Sequence, residues 1–158
     1  MPLEIERKFL LEGEAVPSAV ATEPIEQGYI AVTGDGTEVR LRRIAGNCFL
    51  TVKRGKGGFS RIEVELSVTD SEFEELWPAT AGARLVKTRH SVRLDDVLAY
   101  VDVYEQNLSG LRTVEVEFPS EELARAFTPP DWFGPEITGS DRYKNRRLAV
   151  EGLSATAV

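Results

Sequence analysis

Charge and bulk alternate from the third residue of the chain, in the stretch Leu3-Glu4-Ile5-Glu6-Arg7-Lys8-Phe9-Leu10. Successive side chains of an extended strand leave on opposite faces, so Glu4, Glu6 and Lys8 share one face while Leu3, Ile5 and Arg7 share the other. Two carboxylates two residues apart stand roughly 7 Å from each other and repel by about 2 kcal/mol at an effective dielectric of about 20. A fold that keeps them together must offset that repulsion. One such strand would read as a solvated surface, but the pattern recurs. Arg61, Glu63 and Glu65 alternate with Ile62, Val64 and Leu66, and Thr113, Glu115 and Glu117 alternate with Val114, Val116 and Phe118. Basic counterparts are Arg40 and Arg42 around Leu41, Thr51 and Lys53 around Val52, and Lys87 and Arg89 around Thr88.

Turn signals divide the chain into a meander. Strands are predicted at residues 3–10, 27–32, 37–44, 48–53, 60–68, 85–94, 98–104 and 112–118. Gly34-Asp35-Gly36, Gly46-Asn47 and Asp95-Asp96 mark tight turns, and the run from Arg54 to Gly58 marks a looser loop at a hairpin end. Residues 12–23, with Pro17 and Pro24 at either end of small residues, read as a connection or short irregular helix. Asp70 or Ser71 is placed to cap a helix carrying Phe73, Leu76 and Trp77, which Pro78 would kink or shorten. Ser120 caps a second short helix that Pro129-Pro130 stops, and a last helix is predicted near residues 140–149. The reading is one domain over residues 1–150 with a mobile tail at 151–158.

Composition narrows the classes. A chain of 158 residues with 42% hydrophobic and 28% charged residues can bury a real core and is not of disordered type. No apolar run reaches the roughly 20 residues of a membrane span, and the acidic start at Glu4 is unlike a secretory signal, so a cytoplasmic protein is expected. A net charge of -7 disfavours a nucleic-acid backbone as partner. Cys48 and His90 are the sole members of their types, too few for a zinc site or a Cys–His nucleophile pair to be the leading reading. The glycine loop at 55–58 is not a phosphate-binding P-loop, because Leu50 stands where its first glycine is required.

Antiparallel strands joined by short turns suggest a barrel, and the face assignment decides its function. With the charges outward the aliphatic side would fill a small barrel. With the charges inward the barrel is a hydrated tunnel that holds ions. Carboxylates at this density suit hard divalent cations such as Mg2+ or Mn2+. Arginines at alternate positions suit multivalent phosphate, since each guanidinium can fork onto two oxygens. Helices carrying Trp77, Phe127 and Trp132 would then cover the aliphatic outer face.

The stretch Glu4-Ile5-Glu6-Arg7-Lys8 resembles the ExExK signature of the CYTH superfamily, the triphosphate tunnel metalloenzymes. Gln27-Gly28-Tyr29, Val39-Arg40-Leu41-Arg42, Thr51-Val52-Lys53, Arg61-Ile62-Glu63-Val64-Glu65, Lys87-Thr88-Arg89, Asp102, Glu115-Val116-Glu117 and Asp141-Arg142-Tyr143 follow in the family's order. The resemblance implies an α+β fold: an eight-stranded antiparallel β-barrel with a charged interior, flanking helices and a C-terminal plug helix. It further implies that Lys8, Arg40, Arg42, Lys53, Arg61 and Arg89 grip phosphate oxygens. Glu4, Glu6, Glu63, Glu65, Asp102, Glu115 and Glu117 would hold one or two metal ions or order their waters. Arg142 of the plug would add a phosphate contact, with Lys144 the alternative. Members that hydrolyse inorganic triphosphate are similar in pairing a lysine with a tyrosine, here Lys87 and Tyr29. A lysine crowded by cations loses its charged form more readily and can serve as general base toward water.

Three functions are therefore open. The first is hydrolysis of inorganic triphosphate to diphosphate and phosphate. The second, within the same family, is a class IV adenylate cyclase or a thiamine triphosphatase, for which Tyr29, Phe49 and Phe59 are the aromatic platforms on offer. The third is a noncatalytic module that binds polyphosphate or nucleotide. An outer aliphatic surface only partly covered by short helices would suit a homodimer.

Overall fold

Charge on one face and aliphatic bulk on the other turn out to be the two walls of a closed barrel. In this computed structural model residues 3–13, 17–55 and 60–152 are described. The strands are β1 (Leu3–Leu10), β2 (Ala21–Val32), β3 (Glu38–Ile44), β4 (Asn47–Arg54), β5 (Ser60–Val68), β6 (Arg84–Leu94), β7 (Val97–Tyr104) and β8 (Arg112–Glu117), and they close in the order β1-β5-β4-β3-β2-β6-β7-β8. Every pairing is antiparallel. The register sets acids opposite bases, as where Glu4 faces Arg61, Lys8 faces Glu115, Lys53 faces Glu63 and Arg89 faces Asp102, and acid opposite acid where Glu6 faces Glu117. Cross-strand pairs of opposite sign are the arrangement that stabilises a charged sheet face.

Aliphatic residues of the opposite parity point outward and are covered. Helix α1 (Asp70–Leu76) lays Phe73 on Leu41 and Cys48, with Trp77 packed beside it. Helix α2 (Glu121–Ala126) and the loop after it bring Ala124, Phe127, Trp132 and Phe133 onto Ile5, Phe9, Val101, Val114 and Val116. This is the covering role expected of Trp77, Phe127 and Trp132. Over β5 the cover is incomplete: Leu3 is 57% exposed, Val64 44% and Leu66 56%, the strip on which the homodimer expectation rests.

The second strand begins at Ala21, six residues before its predicted start. Pro24 misled the reading, yet it lies where β2 pairs with β6 alone, beyond the first β3 partner of Ile25, so its missing N–H leaves no ladder bond unmade. Helix α1 is capped by Thr69 rather than Asp70 or Ser71, through a capping box in which the Glu72 N–H donates to Thr69 Oγ1 at 3.0 Å and the Thr69 N–H donates to Glu72 Oε1 at 2.8 Å. Pro78 opens a 3-10 turn at Trp77–Thr80, a position whose N–H is unsatisfied in any helix start. The last helix is shorter than predicted. A single 3-10 turn at Asp141–Tyr143 precedes α3 (Asn145–Glu151), which packs Leu148 and Ala149 against Tyr29, Leu85 and Tyr104. Of the tail predicted at 151–158, Glu151 ends α3 and Gly152 follows it, while residues 153–158, like the loop residues 56–59, lie outside the described residues.

Between α2 and α3 the chain runs as a strap along β1. Strand β5 pairs with β1 only over Leu3–Ile5, which leaves the rest of that edge open. The strap takes it: Gly134 N–H donates to Leu10 O at 2.7 Å, Leu10 N–H to Pro135 O at 2.9 Å, and Ile137 N–H to Lys8 O at 2.8 Å. Arg7 forks onto Glu136 at 2.9 and 2.7 Å, fixing the strap from the outer face. The residues that follow are thereby held over the barrel interior.

Candidate active site

The inward face encloses a cavity of about 140 Å3, bounded by all the charged strands and by the strap residues 137–140 and 143–145. Of the residues singled out from the sequence, Glu4, Glu6, Lys8, Tyr29, Arg40, Arg42, Lys53, Arg61, Glu63, Lys87, Arg89, Glu115 and Glu117 all line it. Alternation along strands accounts for this, because the same parity that set them together in the sequence sets them inside the barrel.

The acids gather at one place. Glu4, Glu6 and Glu117 each bring a carboxylate oxygen within 4.8 Å of the others'. Burial, then the neighbouring Glu115 and Glu4, push the Glu6 carboxyl well above the ordinary carboxylate value, and Glu117 is raised by the same causes. Burial works against Glu4 too, but Lys53 beside it, at 3.0 and 2.9 Å from the two carboxylate oxygens, brings it below the usual value. The cluster therefore holds more negative charge than its own lysine offsets. Oxygen donors in excess of local cations are what a hard divalent ion takes, so the residues present fit such an ion.

The bases lie across the cavity. Arg40 is 5% exposed, takes part in no ion pair or side-chain hydrogen bond among the described residues, and has a buried Nε without a partner. Arg42 is held at 3.4 Å by Glu65 but has an orphaned Nε as well, and burial together with Arg40 and Arg89 brings its pKa down to about 10. A buried guanidinium without a carboxylate costs the fold free energy unless an anion arrives.

Lys87 and Asp102 form the most deeply buried charge pair, 1% and 0% exposed at the side chain, with Nζ 2.8 Å from Oδ2. Arg89 forks onto the same carboxylate at 2.9 and 3.0 Å. Asp102 is pulled far below the carboxylate range by its two cations, against the effect of burial. Burial lowers the Lys87 ammonium to about 8, with Asp102 opposing and Arg89 assisting. Tyr29 sits at the irregularity where β2 shifts register against β3, is buried, and is pushed up to about 12 chiefly by burial, so it stays a phenol at neutral pH.

Some expected members stand elsewhere. Asp102 is spent on Lys87 and Arg89 and lies apart from the Glu4, Glu6 and Glu117 group. Glu65 sits beyond the cavity wall, taken by Arg42 and by Thr51 at 3.3 Å. Arg142 is exposed and outside the cavity, whereas Lys144 lines it. Sequence reading missed Glu38, 5% exposed on the inner wall between Arg61 and Arg146, at 3.5 and 3.3 Å. Its signal was available, since it shares the parity of Arg40 and Arg42. Gln27 and Asn145 were missed for a different reason: neutral amides carry no charge pattern. Gln27 donates to Tyr29, and Asn145 accepts from Tyr104 at 2.5 Å.

A closed antiparallel barrel with an acid cluster on β1 and β8 and buried arginines on β3 around a small cavity has the chemistry to suit a compact polyanion together with a cation. Residues 2–127 match the CYTH domain, and the chain belongs to that family. It is 47% identical over 152 residues to the inorganic triphosphatase of Nitrosomonas europaea, an alignment covering 93% of this chain and 97% of the relative. It is 34% identical over 149 residues to the inorganic triphosphatase of Acetivibrio thermocellus, covering 94% of each. Among solved structures it is similar to the crystal structure of an inorganic triphosphatase at 44% identity and a TM-score of 0.69, covering 95% of this chain and 96% of the other.

Proposed function

We propose that this chain is an inorganic triphosphatase, splitting triphosphate into diphosphate and phosphate inside the barrel. The observation that carries the reading is the division of the cavity: the buried Arg40 without a carboxylate on one wall, excess carboxylate on the other. An anion of high charge density satisfies the first, and a divalent cation, Mg2+ or Mn2+, satisfies the second. Glu4, Glu6 and Glu117 would hold that ion, with Glu63 and Glu115 beside them, and when bound it supplies positive charge against the oxygens of the transferred phosphoryl group. Arg40, Arg42, Lys53, Arg61 and Lys8 bind and orient the phosphate chain, with Lys144 the plug contact that the geometry favours over Arg142. Phosphoryl transfer asks mainly for such positioning and charge stabilisation.

Lys87 has the setting of a general base. It is buried at the cavity wall, with its ammonium brought to about 8, so a useful fraction is neutral at mildly alkaline pH and can take a proton from water. Asp102 holds it in place from behind. The Tyr29 phenol lines the same cavity and remains a donor throughout the working range. A small cavity lined mainly by charged and polar side chains agrees with a free inorganic substrate.

The test is product analysis of the purified protein with Mg2+ or Mn2+, offering inorganic triphosphate, ATP and thiamine triphosphate separately, beside a Glu6→Gln/Glu117→Gln control. Release of diphosphate and phosphate from inorganic triphosphate, lost in the control, is expected. Cyclic AMP from ATP, faster turnover of thiamine triphosphate, or tight binding without turnover would each overturn the assignment.

A further inference from the structure

We infer that Gln27 is a positioning residue: its side-chain amide fixes the Tyr29 hydroxyl so that the phenolic proton is presented to the cavity. The inference rests on the proposed participation of Tyr29 and extends it to a group with no charge of its own. Gln27 and Tyr29 are two apart on β2 and so share its inward face. Gln27 is fully buried, is not among the cavity-lining residues, and stands behind the tyrosine that is. Its Nε2 donates to Tyr29 Oη at 2.8 Å.

The direction of that bond matters. A phenol has one proton to give and lone pairs to receive with, whereas an amide nitrogen can only give. With Gln27 donating, the Tyr29 oxygen is the acceptor, and its own proton is left for a different partner. No described residue accepts it, although the hydroxyl belongs to a side chain that is 4% exposed and lines the cavity. A buried hydroxyl proton without a protein acceptor, on the wall of a site for phosphate oxygens, is poised for an oxygen of the substrate.

The amide itself bears a mark of this arrangement. Its Oε1 is buried with no partner. Turning the amide over would place its oxygen against Tyr29 as an acceptor. It would also draw the phenolic proton away from the cavity. The fold keeps an orphaned acceptor at Gln27 and in return holds Tyr29 as acceptor on its inner side and donor toward the substrate. Strand β2 supports the geometry, since Gly28 between the two has Thr80 Cβ only 2.6 Å from where a side chain would begin, which pins the backbone at this point.

The experiment is a double-mutant cycle on steady-state hydrolysis of inorganic triphosphate with Mg2+, using wild type, Tyr29→Phe, Gln27→Met and the double variant. Substrate binding is measured separately by calorimetry and folding by thermal melting. Gln27→Met keeps the volume and removes the donor. It is expected to lower kcat by about tenfold with KM unchanged, less than the loss of ~100-fold expected for Tyr29→Phe, and to cost nothing further once Tyr29 is Phe. A purely structural glutamine would lower the melting temperature and reduce kcat equally in both tyrosine backgrounds, and that result overturns the inference while leaving Tyr29's role intact. Full activity in Tyr29→Phe would instead overturn the tyrosine reading itself. Should Gln27→Met not fold, Gln27→Leu gives the same cycle, and unaltered kcat in either folded variant is equally fatal.

Discussion

Lys87 is where the proposed chemistry is most exposed to test, because its environment pulls in two directions. Burial disfavours the ammonium and Asp102 favours it, leaving the group at about 8 instead of its ordinary 10.5. A base must be neutral to act, so kcat/KM for triphosphate should rise with pH and level off above about 8. Lys87→Met should abolish that limb and reduce the rate by roughly 100- to 10,000-fold. The same shift has a stability consequence opposite in sign to that of a lysine whose pKa folding raises. Between about 8 and 10.5 the unfolded chain binds more protons than the folded one, so this group makes stability rise with pH across that window, while its penalty is fully present below it. Asp102 supplies the second residue-scale prediction. Its carboxylate raises the Lys87 value, so Asp102→Asn should move the midpoint of the rate profile below 8. It should also cost about 3–5 kcal/mol of stability by leaving Lys87 and Arg89 buried without their anion. A pH–rate series and urea unfolding of the same preparation check both. An unmoved midpoint would show that Asp102 does not govern the titrating group. The sequence pointed to Lys87 through its charge-alternating strand, but the deep pairing of Asp102 was beyond it. Alternation says which residues face inward, not which of several inward acids each base will choose.

At the level of elements, the strap is the piece that no periodicity announced. Residues 134–138 carry neither a helical nor a strand repeat, yet they occupy the β1 edge that short β5 leaves free and deliver the strap residues beyond them to the cavity. Gly134 is the close point of that contact: a Cβ there would lie 2.6 Å from the Leu10 carbonyl oxygen, which is backbone and cannot swing aside. Gly134→Ala should therefore force the strap off β1, cost about 1–3 kcal/mol by overpacking, and raise KM for triphosphate more than it lowers kcat, because the strap lines the site without carrying the proposed base. Thermal melting beside steady-state kinetics tests it, and an unchanged KM would place the strap outside substrate binding. Most strands were legible, since each is short, alternating and bounded by a turn, although the turn predicted at Gly46-Asn47 lies one residue earlier, at Ala45-Gly46, where both residues take positive φ of 50° and 83°. The start of β2 was not. A proline is ordinarily read against a strand, and only the topology reveals that Pro24 pairs with a single strand, β6.

For the molecule as a whole, the decisive fact is where its charge is kept. The chain carries a net charge of -7, yet much of its basic complement is turned inward, with Lys87, Arg40 and Lys53 all nearly buried. Cross-strand pairing offsets most of this charge, and what it leaves over is the site: guanidinium surplus on one wall, carboxylate surplus at Glu4, Glu6 and Glu117. Both surpluses cost the fold free energy, and each should be relieved by the ligand that fits it. Divalent cation should accordingly raise the melting temperature, by an amount that grows with the logarithm of its concentration above Kd and corresponds to about 2.7 kcal/mol at a hundredfold excess. Glu117→Gln removes one of the repelling carboxylates. Partial desolvation of its carboxylate and the charges of Glu115 and Glu4 already disfavour the ionised form of this otherwise exposed residue, so the variant should melt higher than wild type without cation and gain little when Mg2+ is added. Melting curves of the two proteins over a Mg2+ series read this directly. A variant that melted lower than wild type without cation, or kept the full Mg2+ increment, would mean that the three acids are not a strained cluster awaiting an ion, and the division of the cavity would have to be explained by its internal ion pairs alone.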